Sequence, residues 1–237
     1  MFAPINAVAG EQPFNDWFAP DTTQRHQLGM KIDAVDPYWG QGSFVYLKSA
    51  DAILKGSVVC WDEAHNAGLL PSAVTQGFPF GIAMNAMASG TFGWVQVAGR
   101  AVYKTNATVA ADGVLAIAAA GILGATATGK QVLGIRNRVS ATGTVTVANV
   151  LTKNGSSVLK TSGYDGLFLG MALSGTGIPA STVVAKLGAD GTTVYMGSAI
   201  GTVDKLATAD GAITLTGTYT GYGSGILNNP SCMQIVT

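Results

Sequence analysis

The stretch GIAMNAMASGTFGWVQVAGRAVYK, residues 81–104, decides how the fold is interpreted, because its four glycines before Arg100 fit either a ligand-binding loop or a bent sheet. The second half of the stretch alternates with a period of two, which is typical of a β-strand and places Trp94 and Gln96 on one face. The glycines lack the spacing of a phosphate-binding loop ahead of a helix. We therefore interpret them as bends and places of close backbone approach within a sheet.

Similar strand patterns occur on both sides of this stretch. They are SFVYLKS (43–49), GSVVCWD (56–62) and KQVLGIRNRVS (130–140), the last interrupted by Gly134. Beyond residue 140 the sequence is rich in Thr, Val and Gly. Turn dipeptides between apolar runs there predict hairpins at 154–155, 190–191 and 210–211. Short helices near 64–75 or 115–120 remain open.

These patterns predict an all-β chain: a barrel- or sandwich-like domain with an extended N-terminal arm and a second small β module. We expect the arm over residues 1–26, the β-rich domain over 27–140 and the second module over 141–227. Residues 228–237 form a C-terminal segment in which CMQIV fits a returning strand.

The composition favours association with other proteins. The 237 residues carry 13 basic and 13 acidic side chains, so no cationic excess exists to neutralise the phosphates of a nucleic acid. Only 11% of the residues are charged, against about 25% in an ordinary domain, and the mean hydropathy is +0.33. A surface so poor in charge exposes apolar patches, which mark interaction sites. The alternative, a Gly- and Ala-rich monomer with a neutral surface, stays open.

No membrane segment or secretion signal is expected. The most apolar run, residues 114–127, is shorter than the roughly 20 residues that span a bilayer. The first residues lack the basic and apolar regions of a signal peptide. Cys60 and Cys232 are too few for a disulfide scaffold.

Two motifs invite an enzymatic interpretation, and neither is complete. GATATGKQ (124–131) matches G-x-x-x-x-G-K, but Gln131 stands where a nucleotide site needs Ser or Thr, and a strand pattern follows instead of a helix. CWDEAH (60–65) contains residue types that bind metals or exchange protons, but it is also a common way to close a strand with a polar loop. We expect no catalytic, metal or cofactor site, and hence no enzyme.

Aromatic side chains are the best candidates for contacts with other subunits. The arm carries Phe14, Trp17 and Phe18 as hydrophobic anchors, although it can also pack back along its own domain. We expect these three residues, together with Trp39, Trp94 and Gln96, to line a capsid or subunit interface.

Residues 27–140 resemble the opening of bacteriophage capsid cement (decoration) proteins. The resemblance rests on HQLGMKIDAVDPYWGQGSFVYLKSADAILKGSVVCWDE (26–63), with its LG pair, polar turn before Trp39-Gly40, aromatic strand and KGSVV. The strand pair within residues 80–104 and DGVLAIAAAGILG (112–124) fit the elements that follow. Separately, GMALSGTGIPASTVVAKLGADGTTVYMG (170–197) is similar to a small β module of phage structural proteins.

The resemblance implies a virion structural protein that binds the outer surface of a phage head as a homotrimer, bridges copies of the major capsid protein and stabilises the shell. The balanced charge and the short apolar run predict no nucleic-acid or membrane partner. Two alternatives stay open: a head- or tail-fibre adhesin that binds a host surface glycan through the second module, and a hydrolase acting on polysaccharide.

Overall fold

The structure is a computed structural model that describes residues 3–4, 20–36, 40–72, 79–106, 109–125, 130–164, 166–188 and 190–232. These residues contain β-strands and no helix, so the all-β prediction is confirmed. The strands are β1 (Ala3–Pro4), β2 (Lys31–Asp36), β3 (Gly40–Ser49), β4 (Val58–Trp61), β5 (Asn66–Leu69), β6 (Phe80–Ala83), β7 (Phe92–Lys104), β8 (Leu115–Ala119), β9 (Ile122–Ala125), β10 (Val132–Asn137), β11 (Thr142–Thr152), β12 (Val158–Lys160), β13 (Ala172–Ser174), β14 (Thr182–Leu187), β15 (Thr193–Gly197), β16 (Gly211–Thr220) and β17 (Tyr222–Cys232).

The chain forms two compact units that are divided differently from the predicted domains. One unit comprises residues 2–141 and 221–237, and the other is formed by residues 142–220. The second unit is therefore an insertion in the first. Residues 221–227, which the sequence assigned to the second module, belong to β17 of the first unit. The backbone N–H of Gly221 donates to the carbonyl of Ala141 at 2.8 Å, which brings the two ends of the insertion together.

The first unit is built around a nine-stranded sheet in the order β1-β2-β3-β5-β4-β6-β7-β17-β10. An additional pairing between β3 and β7 closes the strands from β3 to β7 into a ring, while β2 and β1 extend the sheet on one side and β17 and β10 on the other. A separate pair, β8 and β9, forms a hairpin. The strands at 66–69 and 115–119 occupy the places where short helices were left open.

Residues 44–47 of β3 and 93–97 of β7 are buried on both faces, which alternation alone did not reveal. Val45 and Leu47 join one apolar cluster, and Phe44 and Tyr46 join another on the opposite face. Such strands lose the apolar-polar alternation of a half-buried sheet because neither face contacts water.

Glycines in residues 81–104 allow the backbones of the ring to approach closely, as the sequence indicated. A Cβ at Gly99 would stand 2.3 Å from the carbonyl oxygen of Gln41, and the φ of Gly99 is +93°. A Cβ at Gly81 would lie 2.5 Å from the side chain of Val95. Real Cβ atoms do not come so close, so these glycines shape the sheet.

The second unit is a closed barrel with strand order β11-β12-β15-β14-β13-β16. The predicted hairpins at 154–155 and 190–191 are confirmed, because β11 pairs with β12 and β14 with β15 in antiparallel fashion. The predicted hairpin at 210–211 is wrong. Gly211 begins β16, which pairs with β11 and β13, and a long loop over residues 198–210 separates β16 from β15.

Candidate interaction surface

Two predicted interface residues, Trp94 and Gln96, lie in the core of the first unit instead. Trp94 is 4% exposed and packs against the rings of Tyr46 at 5.1 Å and His26 at 5.4 Å. Gln96 is 2% exposed, and its side-chain amide donates to the carbonyls of Ala98 and Arg100 at 3.1 and 3.0 Å. Because residues 93–97 of β7 are covered on both faces, neither side chain is available to a partner. The other predicted interface residues, Phe14, Trp17, Phe18 and Trp39, lie outside the described residues.

The end of the N-terminal arm packs on its own unit, which is one of the two alternatives that the sequence left open. The hydroxyl of Tyr46 donates to the Asp21 carboxylate at 2.7 Å, and Asp21 forms an ion pair with Arg25 at 3.0 Å. Burial of the ring, followed by this hydrogen bond, raises the pKa of Tyr46. The phenol therefore stays a neutral donor that anchors residues 20–26.

The residues of CWDEAH form a hairpin connection. Cys60 lies in β4, which pairs with β5, and the Asp62 carboxylate accepts hydrogen bonds from the Asn66 side chain at 3.0 Å and from its backbone at 2.8 Å. These bonds lower the pKa of Asp62. His65 completes the turn with a φ of +64°. Within the described parts of the chain, no group of three or more His, Cys, Asp or Glu residues could hold a metal ion.

The GATATGKQ motif begins in the last two residues of β9 and ends just before β10. Its residues 126–129 fall outside the described ranges, and Gln131 forms an isolated bridge with Ala116 just before β10 begins at Val132. A P-loop would place a helix there, so the predicted strand is confirmed.

The first unit exposes a continuous face across β2, β3, β7, β17 and β10, which we call the open face. Its central residues are Val35, Gln41, Arg100, Ile226 and Arg136, all of them exposed. Val35 is 43% and Ile226 57% exposed. The open face, which carries these two apolar side chains together with two arginines, is the candidate interaction surface.

Strand register aligns these residues into one row. Val35 is paired with Gln41 on β3, and Ile226 is paired with Arg100 on one side and with Arg136 on the other. The pairing of Gly42 with Gly99 places Gln41 next to Arg100 and so joins the two halves of the row. Directly paired residues direct their side chains to the same face, so the row is a single surface feature.

Arginines are concentrated beside this row. All four arginines of the chain lie in the first unit, and three of them are Arg100, Arg136 and Arg138. The Arg138 guanidinium forms an ion pair with Asp112 at 2.9 Å, and Nε of Arg136 donates to the Asp112 carbonyl at 3.1 Å. Arginine is enriched at protein interfaces because its planar fork binds carboxylates and stacks on aromatic rings.

The second unit exposes a different apolar feature, the loop over residues 198–210. Ile200, Val203 and Leu206 are 39%, 41% and 52% exposed. The loop is held by hydrogen bonds from Ser198 to the Asp204 carboxylate at 2.6 Å, which lower the pKa of Asp204. These apolar side chains are thus presented on an ordered backbone.

Sequence reasoning missed both features. Arg100, Arg136 and Ile226 are far apart in the chain, and only the return of β17 between β7 and β10 brings them together. The concentration of arginines at 100, 136 and 138 was the one signal in the sequence that pointed to this surface.

Comparison with models of protein families, with curated proteins and with solved structures gives no match to this chain. In the described ranges, there is no helix with the length and apolar character needed to cross a membrane.

Proposed function

We propose that the chain is a virion structural protein, a decoration or cement protein that binds the outside of a phage head as a homotrimer and stabilises the capsid shell. The observation that carries the proposal is the open face: a row across five strands that exposes Val35 and Ile226 beside Arg100 and Arg136, in a chain with only 11% charged residues. The resemblance of residues 27–140 to decoration proteins supports the same function.

The open face suits a protein that acts by binding. Its backbone is fixed by pairing on β2, β3, β7, β17 and β10, so little conformational entropy is lost when a partner docks. Apolar side chains contribute through burial, and neighbouring arginines orient the partner. On a capsid each modest contact is repeated over many copies, and a protein that binds only the assembled shell stabilises it by mass action.

The experiment uses heads of the parent phage assembled without this chain. The purified chain is added, bound protein is measured by co-sedimentation, and the temperature of DNA release is followed with a fluorescent dye. We expect saturable binding and a higher release temperature than for undecorated heads. Heads incubated with the chain after heat denaturation serve as the control.

Two outcomes would contradict the proposal. One is failure of the folded chain to sediment with heads at any concentration. The other is binding that leaves the release temperature unchanged, which removes the stabilising role. Binding of the labelled chain to host cells but not to heads would favour the adhesin instead.

A further inference from the structure

We propose that Asn154 is a site of spontaneous deamidation in the folded chain, and that the loop over residues 198–210 controls the rate of this reaction. The control acts through the hydrogen bonds between residues 154–156 and 207–210, which we call the turn–loop contact. The inference goes beyond the proposed function and does not rest on it, because it assigns a covalent modification to one side chain of the second unit.

The sequence supplies the reacting pair of residues. Asn154 is followed by Gly155, and this is the one Asn-Gly pair among the 237 residues. In such a pair the backbone nitrogen of the glycine can attack the side-chain carbonyl carbon of the asparagine, because glycine has no Cβ to obstruct the closure of the ring. Both residues are exposed at the end of the hairpin that β11 and β12 form. The side-chain amide is therefore accessible to water.

The reaction needs no reagent other than water. The attack forms a bond between the backbone nitrogen of Gly155 and Cγ of Asn154, and Nδ2 leaves as ammonia with the proton that the attacking nitrogen loses. Water then adds to one of the two carbonyl groups of the resulting succinimide ring and opens it. The product is an aspartate or an isoaspartate, whose backbone runs through the former side chain. Either product replaces a neutral amide by a carboxylate.

The turn–loop contact restrains the attacking nitrogen. The backbone N–H of Gly155 donates to the carbonyl of Ala207 at 2.8 Å, and the N–H of Ala207 donates to the carbonyl of Ser156 at 2.9 Å. Ala207 is itself fixed, because it is 2% exposed and the next N–H, of Thr208, donates to the carbonyl of Gly177 at 2.9 Å. The nitrogen of Gly155 can therefore turn towards the side chain only in the fraction of molecules in which this contact is open.

The product weakens the same contact. The Asp210 carboxylate accepts a hydrogen bond from the backbone N–H of Asn154 at 2.7 Å, so deamidation adds a second carboxylate to the residue that donates this bond, and the two like charges repel. Lys153 precedes Asn154 but is exposed, so it compensates only weakly. An isoaspartate also lengthens a turn that the N–H of Ser156 closes on the carbonyl of Lys153 at 2.9 Å. Deamidation therefore leaves the turn–loop contact more open.

Peptide mapping of the full-length chain tests the proposal. The folded chain is incubated at mildly alkaline pH and digested with trypsin, which isolates Asn154 in the peptide 154–160 and Asn149 in the peptide 139–153. Asn149 is the internal control, because it is exposed in the same unit but is followed by Val150. We expect the mass gain of amide-to-acid conversion in the first peptide and not in the second. Equal conversion of both peptides, or an intact Asn154 after a time that converts it in concentrated urea, would overturn the proposal.

A variant with a weaker turn–loop contact provides the second measurement. Ala207→Gly keeps the carbonyl but removes a buried methyl group and makes the open loop more flexible, so it should raise the rate of conversion in the folded chain at least about fivefold. Ala101→Gly is the matched control, because Ala101 is also 2% exposed but lies in β7 of the first unit. In concentrated urea all three chains should react at one rate. An unchanged rate in folded Ala207→Gly, or an equal increase in Ala101→Gly, would contradict the control of the reaction by the loop.

Discussion

The two units of this chain treat their strand edges and faces in opposite ways. The second unit closes its six strands into a barrel, so its sheet has no free edge. The first unit closes a ring through the pairing of β3 with β7, but extends beyond the ring on both sides and ends at β1 and β10. Its extension creates the open face. The comparison teaches that closure leaves the barrel without a free strand edge, whereas extension beyond the ring aligns exposed side chains from five strands of the first unit.

Charge distribution follows the same division. Every basic residue of the second unit is a lysine, while all four arginines belong to the first. Lysine keeps a surface hydrated, and arginine is suited to contacts with carboxylates and aromatic rings. We therefore propose that the first unit, and not the second, carries association.

The largest expected effect comes from a glycine at a close backbone contact in each unit. Gly99→Ala should destabilise the first unit by about 3 kcal/mol or more, because the new Cβ meets Gln41 and the φ of +93° is strained. Gly197→Ala should have a comparable effect on the second unit alone, since its Cβ would collide with the Thr202 carbonyl. Urea unfolding followed separately by hydrogen exchange in each unit measures both effects.

Gly40→Ala is the matched control for Gly99→Ala. Its φ is +76°, but no atom lies within 4 Å of the added Cβ, so only backbone strain of about 1 kcal/mol is expected. If Gly40→Ala and Gly99→Ala lower the free energy of unfolding equally, the close approach of β3 and β7 does not contribute to the effect of Gly99→Ala.

A smaller effect is expected from the buried polar group that joins β7 to β10. The Tyr103 hydroxyl donates to the Asn137 side chain at 2.8 Å, and that side chain donates to the carbonyls of Ala110, at 2.7 Å, and of Val139. Asn137→Ala should cost about 2–3 kcal/mol, since it leaves buried groups without a partner. Tyr103→Phe should cost about 1 kcal/mol.

Chemical denaturation of both variants provides the measurement, with Tyr164→Phe as the counterpart in the second unit. Tyr164 donates to the Gly188 carbonyl, so its loss should lower the stability of the barrel by a similar amount. If Asn137→Ala lowers the free energy of unfolding no more than Tyr103→Phe does, the hydrogen bonds that Asn137 makes to Ala110 and Val139 do not contribute to the stability of the first unit.

Alkaline pH should weaken the first unit through the same tyrosine. Burial raises the pKa of Tyr103 in the folded protein, so its proton is retained at a pH where the unfolded chain has lost it. The contribution is fully present below about pH 10 and is lost as the pH rises further, by up to about 1.4 kcal/mol per pH unit. Urea midpoints from pH 8 to 11.5 should fall less steeply in Tyr103→Phe than in the original chain. Parallel curves would exclude Tyr103 as a source of the alkaline loss.

The smallest effect is expected from removing the insertion. Ala141 and Gly221 are joined by a hydrogen bond of 2.8 Å, so a chain in which two glycines replace residues 142–220 needs no rearrangement of the first unit. Its melting temperature should stay within a few degrees of that of the first unit in the full chain. Loss of cooperative unfolding would mean that the units depend on each other.

Part of this architecture was predictable because it is encoded locally. Local strand patterns in the sequence predicted β3, β7 and β10, and the interruption at Gly134 coincides with a register shift. Two of the three turn dipeptides correctly predicted hairpins. The hairpin predicted at Asp210-Gly211 was wrong because a turn dipeptide specifies a local bend and does not specify which strands will pair. Short-range sequence patterns thus predict where the strands lie, but they do not predict which strands pair with each other.

The candidate surface depended on long-range pairing and was therefore not predictable. Trp94 and Gln96 have an alternation that suits either a surface or a core, and the pairing of β7 with both β3 and β6 decided for the core. Ile226 becomes part of the open face only because β17 inserts between β7 and β10 after the whole second unit has been traversed.

The most direct test of the account is the molar mass in solution, measured by light scattering over a range of concentrations. The full chain should approach three times its 24.1 kDa, and the chain without residues 142–220 should also form a trimer. Residues 142–220 alone should remain a single chain. A full-length protein that stays at 24.1 kDa at every concentration, or an isolated second unit that associates while the first does not, would contradict the assignment of association to the open face.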